Sequence, residues 1–131
     1  MSGLAFGEID GVDEESLARL VGRFYAAVRS DALIGPVFND AIDDWPLHLD
    51  KLAAFWSSVM LGTGRYDGRP MAAHFRHRAR ITPAMFDRWL TLWGEATEAE
   101  MPPAAARALQ VRAGRIAESF KLNLARFGGG I

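Results

Sequence analysis

Cysteine is absent from the chain, so neither a disulfide nor a thiolate metal site is available. That absence fits a reducing compartment, and a cytoplasmic location is the expectation. Long hydrophobic runs are missing too. The most apolar stretch, 49–61, is broken by Asp50, Lys51, Ser57 and Ser58 and is too short and too polar to span a bilayer. The opening MSGLAFGEIDGVDEE has neither a basic start nor a long apolar core, and does not read as a signal peptide. No sign of charge dominates: 15 Lys and Arg stand against 16 Asp and Glu, a formal net charge of −1. Bulk charge therefore gives no reason to expect nucleic acid or a membrane surface as partner. Repeats, low-complexity segments and internal linkers are lacking. Nothing resembles a strand pair, since apolar residues recur with helical period almost throughout.

What is present is enough to build a core. With half of its 131 residues apolar, the chain suits one domain over 1–131, with 1–12 as an N-terminal extension and the Gly-rich 128–131 as a frayed tail. The period predicts a first helix from about Glu14 to Arg29, capped by Asp13, with Leu17, Leu20, Val21, Phe24, Tyr25 and Val28 in one stripe. Gly35-Pro36 breaks the chain, and Val37-Phe38 falls in a short helical turn. A long helix starting near Asp44 carries His48, Leu52, Phe55, Trp56, Val59 and Met60 until Gly62 stops it. Pro70 opens a short helix with His74, and Thr82-Pro83 starts another with Phe86, Trp89, Leu90 and Trp93 on one face. Pro102-Pro103 opens the last, with Leu109, Ala113, Ile116, Phe120 and Leu124 lining the core. The fold class is all-α.

Three histidines and four tryptophans carry the chemical interest. His48 lies on the apolar face of its helix, four residues before Leu52. His74 and His77 are one helical turn apart in a strongly basic segment, His74-Phe75-Arg76-His77-Arg78-Ala79-Arg80. Taken one helix at a time, His48 and Tyr25 read equally well as hydrogen-bonded core residues, and Trp89 and Trp93 as core filler. The arginines read equally well as a solvated helix end.

In combination these residues resemble the truncated haemoglobins, most closely their group III. The likeness runs through Phe24-Tyr25, Gly35-Pro36-Val37-Phe38-Asn39, Trp45-Pro46-Leu47-His48 and Phe55-Trp56. It continues through 61–70 (LGTGRYDGRP), His74 and Phe86-Asp87-Arg88-Trp89-Leu90, and spans about residues 14 to 126. The Gly-Gly turns typical of other truncated groups are missing, which favours group III. The resemblance implies a two-over-two helical sandwich around haem b, with His74 and His48 on elements that such packing sets face to face.

The resemblance also assigns roles. His74 would be the proximal ligand of a five-coordinate iron, since neutral imidazole is a good donor that leaves the opposite face open. Phe38 would pack flat on the porphyrin, and Tyr25, His48 and Trp89 would form the distal trio, the Tyr25 phenol and the Trp89 indole donating hydrogen bonds to the bound gas; Leu52, Phe55, Trp56 and Phe86 would line the pocket. Arg76, His77 and Arg78, with Arg65 and Arg69, would meet the propionates. His77 also competes with His74 for the iron; His74 is preferred because it keeps the family's spacing from Gly68-Arg69-Pro70.

The function so implied is reversible binding of dioxygen or another diatomic gas, as in oxygen transport. A redox role towards nitric oxide, peroxynitrite or peroxide is the other expectation, and would require an unidentified reductase. The chain is expected to be a monomer or weak dimer. A haem-free helical ligand- or partner-binding module is the alternative. A hydrolytic metal site on His48, His74 and His77 is less favoured, for no His-Glu-x-x-His motif exists and no acid adjoins His74 to His77.

Overall fold

A computed structural model describes residues 9–66 and 81–127, and for 123–127 only the backbone. Five helices stand among the described residues. The first, α1 (Glu14–Ser30), begins in a capping box: the Asp13 carboxylate accepts from the Ser16 amide at 2.7 Å while the Asp13 amide donates to Ser16 Oγ at 2.9 Å. Glu14 and Glu15 complement the positive end of the helix. Its predicted stripe is buried throughout, from Leu17 to Val28.

The chain then turns at Asp31 into α2 (Gly35–Ala41). Gly35-Pro36, expected as a break ahead of a short turn, instead heads a seven-residue helix, because proline's fixed φ suits a first turn whose amides lack partners anyway. Gly35 is required there: a Cβ would lie 3.0 Å from the Arg29 carbonyl oxygen.

Helix α3 (Trp45–Leu61) is capped by Asp44, whose carboxylate accepts from the Leu47 amide at 3.0 Å. It stops at Gly62, which takes the left-handed conformation at φ 68°. Helices α4 (Pro83–Glu100) and α5 (Pro103–Phe127) start as expected, α4 with Thr82 as cap and proline in its first turn. Leu124 on α5 lies outside the described side chains, as do residues 67–80 and their predicted helix.

Helix α1 is the centre of the packing. It lies against α2, α3 and α4, and α4 in turn lies against α5. Ala105, Ala106, Ala113 and Ala117 give α5 a buried face of small side chains towards that contact. Trp56 of α3 and Trp93 of α4 stack at 4.5 Å, and Phe24 of α1 meets Trp93 edge-on at 4.9 Å.

The α1–α2 turn is tied to α4 by one carboxylate. Asp31 Oδ2 accepts from the amides of Leu33 and Ile34 at 3.0 and 3.1 Å, and Oδ1 accepts from Arg88 Nε at 2.7 Å. Burial alone would raise this carboxyl, but the Ile34 amide, the Arg88 guanidinium and the Leu33 amide together hold it below the ordinary 3.8. Replacing Asp31 by alanine removes the hydrogen bonds of the turn and the cross-link at once, and should lower the unfolding free energy by about 2 kcal/mol in urea titration. Because the folded carboxyl is more acidic than the unfolded one, the stabilisation is complete above the unfolded value and fades as pH falls through the folded one. The gap between wild type and Asp31→Ala should therefore narrow in acid.

Candidate functional site

The helices enclose a cavity of about 490 Å³, within the range of cofactor and ligand sites. Phe38 of α2, Leu52, Phe55 and Trp56 of α3, Met85, Phe86 and Trp89 of α4, and Ile116 and Phe120 of α5 form apolar walls. Exposed Asp43, Asp44 and Lys51 also line it and place charge at its mouth. Tyr66, after α3, and Ile81, before α4, line it as well.

Tyr25 is the polar centre of this space. Its side chain comes from the middle of α1, is almost wholly buried and faces the cavity. Phe24 meets it edge-on at 4.6 Å and Phe38 at 5.7 Å. Burial pushes the phenol above its ordinary value of 10.0, an effect that the neighbouring Trp89 indole partly offsets. The phenol keeps its own O–H proton to give. His48 stands edge-on to Tyr25 at 5.9 Å and to Trp45 at 5.6 Å, and the Arg29 guanidinium lies 4.5 Å from the Trp45 ring centre.

Of the residues singled out in the sequence, Tyr25, Phe38, His48, Leu52, Phe55, Trp56, Phe86 and Trp89 all line this one cavity. His74, Arg69, Arg76, His77 and Arg78 lie outside the described residues. Arg65, expected to meet a propionate, is instead paired with Glu14 at the head of α1. Glu14 also accepts from Ser57 Oγ of α3 at 2.8 Å, so one carboxylate ties both α3 and the loop after it to α1. Tyr66, Ile81, Met85 and Lys51 were not foreseen as wall residues. Ile116 and Phe120 were read as core, and the helical period was right about their face. They are only half-buried, because the space they face is a cavity.

The residues present suit a broad, flat, apolar group with an acidic edge. Aromatic and aliphatic side chains from four helices supply the faces, an exposed cation at the mouth suits the edge, and a buried hydroxyl donor stands inside. No helix among the described residues is long and apolar enough to cross a membrane.

Comparison with known proteins accords with this geometry. The family profile of bacterial-like globins matches residues 5–115. The group 3 truncated haemoglobin of Campylobacter jejuni is 32% identical over 126 residues, covering 93% of this chain and 98% of that protein. The crystal structure of the group III truncated haemoglobin from Campylobacter jejuni superposes with a TM-score of 0.79 over 92% of this chain and 97% of that one. A thermostable haemoglobin from the actinobacterium Thermobifida fusca, 25% identical, gives 0.75 over 89% and 96%. The all-α arrangement described above is accordingly the two-over-two fold of the truncated globins.

The buried phenol makes a spectroscopic prediction. The chain has two tyrosines, and absorbance near 295 nm follows their ionisation. Tyr25→Phe should remove a phenol that resists titration well above the ordinary value. Native stability should decline as pH rises past 10.0, since the unfolded chain then gives up a proton that the folded one keeps. Thermal melts from neutral to alkaline pH should show that decline blunted in Tyr25→Phe.

Proposed function

This chain belongs to the bacterial-like globin family, as a haem-binding globin most like the group III truncated haemoglobins, and we propose that its cavity holds haem b with His74 as the iron's protein ligand. The observation that carries the reading is the convergence of Tyr25, His48 and Trp89 on one apolar cavity that Tyr66 and Ile81 also line. The segment joining those two residues contains His74 and His77. His74 falls in the chain between two wall residues, Tyr66 and Ile81, and its neutral imidazole would be a good donor to the iron.

Haem supplies an iron with one face open to a diatomic gas. The protein's part is to hold the macrocycle and to dress that face. Phe38, Leu52, Phe55, Trp56 and Phe86 exclude water from the ring, while Lys51 at the mouth, with Arg76, His77 and Arg78, meets the propionates. Tyr25 donates its O–H to a gas molecule held beside it, and Trp89 its indole N–H. His48 adds an imidazole on the same side. Such a donor is worth ~1.5–3 kcal/mol to a partly anionic ligand, expressed chiefly as slow release. A pocket that grips oxygen this way suits redox chemistry on nitric oxide, peroxynitrite or peroxide, with electrons from a separate reductase, at least as well as oxygen transport. The setting is the cytoplasm.

The absorption spectrum tests this directly. Purified or haemin-reconstituted protein should show a strong Soret band that shifts when carbon monoxide is added after reduction; a chain that takes up no haemin would sink the proposal. His74→Ala should lose or displace that band and His77→Ala should keep it, and the reverse outcome would assign the iron to His77. In stopped-flow, Tyr25→Phe should release oxygen roughly tenfold to a hundredfold faster.

A further inference from the structure

Trp89, Trp93 and Trp56 form a column. The Trp89 and Trp93 rings are parallel to within 3° with centroids 6.1 Å apart, and Trp93 and Trp56 lie at 18° and 4.5 Å. These two are the only face-to-face ring pairs among the described residues; the other aromatic contacts are edge-on or tilted. Packing alone is served equally well by either arrangement. Only the face-to-face one overlaps the π systems of three rings of the most easily oxidised side-chain type. The two end members line the cavity, while Trp93 does not: it runs behind the wall, 1% exposed, and joins them.

We propose that this column is a redox relay that delivers an electron to the cavity when hydrogen peroxide reacts there, and that the resulting hole is shared over Trp89, Trp93 and Trp56. The inference rests on the haem reading above and extends it to peroxide as oxidant. Reducing one peroxide molecule to the level of two waters takes two electrons and two protons. One electron leaves the indole column and the other leaves the haem. Two molecules of a one-electron reductant such as ascorbate return both electrons and release two protons.

Two further features suit the column to hold a hole. Trp93 Nε1–H donates to the Leu109 backbone carbonyl at 3.1 Å, a weakly basic acceptor, so the oxidised indole keeps its proton and remains a delocalised cation. Trp93 and Trp56 are both shielded from solvent, which limits side reactions with water and dissolved oxygen. At the cavity end, Trp89 neighbours the Tyr25 phenol, so the column begins at the polar centre of the site.

The test uses haem-loaded protein, with the Soret band confirming the loading, mixed with one equivalent of hydrogen peroxide and freeze-quenched for electron paramagnetic resonance. An organic radical is expected, and its spectrum should narrow when the protein is made with ring-deuterated tryptophan. Trp93→Phe, at a residue that does not itself line the cavity, should still take up haem, as its Soret band will show, yet yield several-fold less indole radical per haem. A spectrum unaltered by deuteration, or an undiminished indole radical in Trp93→Phe, overturns the relay while leaving the haem reading intact. Failure to take up haem overturns both, and is seen before peroxide is added. Should Trp93→Phe not fold, the deuteration result decides: a spectrum that narrows supports the relay, and one that does not overturns it.

Discussion

The indole of Trp93 lies against Phe24 of α1 and stacks on Trp56 of α3, while its N–H reaches the Leu109 carbonyl of α5. One residue of α4 thus touches the three other long helices. An indole serves here as no aliphatic side chain would, because it has two broad faces, an edge and one donor, each directed differently. The spacing between α1, α3 and α4 is set by ring thickness and ring edge, and those dimensions do not compress. The small side chains of Ala105, Ala106 and Ala113 let α5 come close enough to receive the hydrogen bond. Close-packed interiors transmit such constraints without slack.

The cavity follows from that frame. Walls propped by stiff rings cannot slump inward as aliphatic walls partly do around a deleted side chain. The apolar side chains that line this space of 490 Å³ lack packing partners on one side, which weakens the fold while it stands empty. A fold that maintains it therefore needs an occupant: water through the mouth near Lys51, or a large apolar group that restores the missing contacts. The second choice converts binding energy into folding stability, so the haem-bound chain should be much the harder to unfold. Half-burial of Phe38, Leu52, Phe55, Trp89, Ile116 and Phe120 has the same origin. These are core residues by composition, left partly bare for a partner.

Local rules were enough to read the helices. Asp13, Asp44 and Thr82 are caps, Gly62 is a stop and the proline pairs are starts, each through chemistry confined to a few neighbouring residues. Tyr25, His48 and Trp89 could be gathered into one site because a family resemblance supplied the third dimension that periodicity lacks. Without it, period alone places Ile116 and Phe120 on an inward face and cannot say whether that face meets another helix or a void. Long-range ion pairs were equally beyond reach. Arg65 is a plausible partner for a propionate until the fold brings it to Glu14, 51 positions earlier in the chain. Nothing near Asp31 announces Arg88, 57 positions later, yet that pair fixes how the distal turn meets α4. The three-indole column was invisible for the same reason: residues 89 and 93 share a helix face, but Trp56 joins them only through packing.

Trp89 is where the gas-binding and redox properties of the site meet, and its geometry keeps them from competing. An indole N–H lies in the plane of the ring, whereas the orbitals that overlap Trp93 stand perpendicular to it. Donation uses the edge, and stacking uses the face. The same side chain can therefore serve the pocket as a donor and terminate the column with no compromise in either contact. The two couplings are separable in consequence: a change at Tyr25 alters the polar side and leaves the stack, a change at Trp93 breaks the stack and leaves the donor, and only a change at Trp89 disturbs both. Trp89 also follows Arg88 directly in α4, so the Asp31 cross-link anchors the helix to the α1–α2 turn one residue away from the indole.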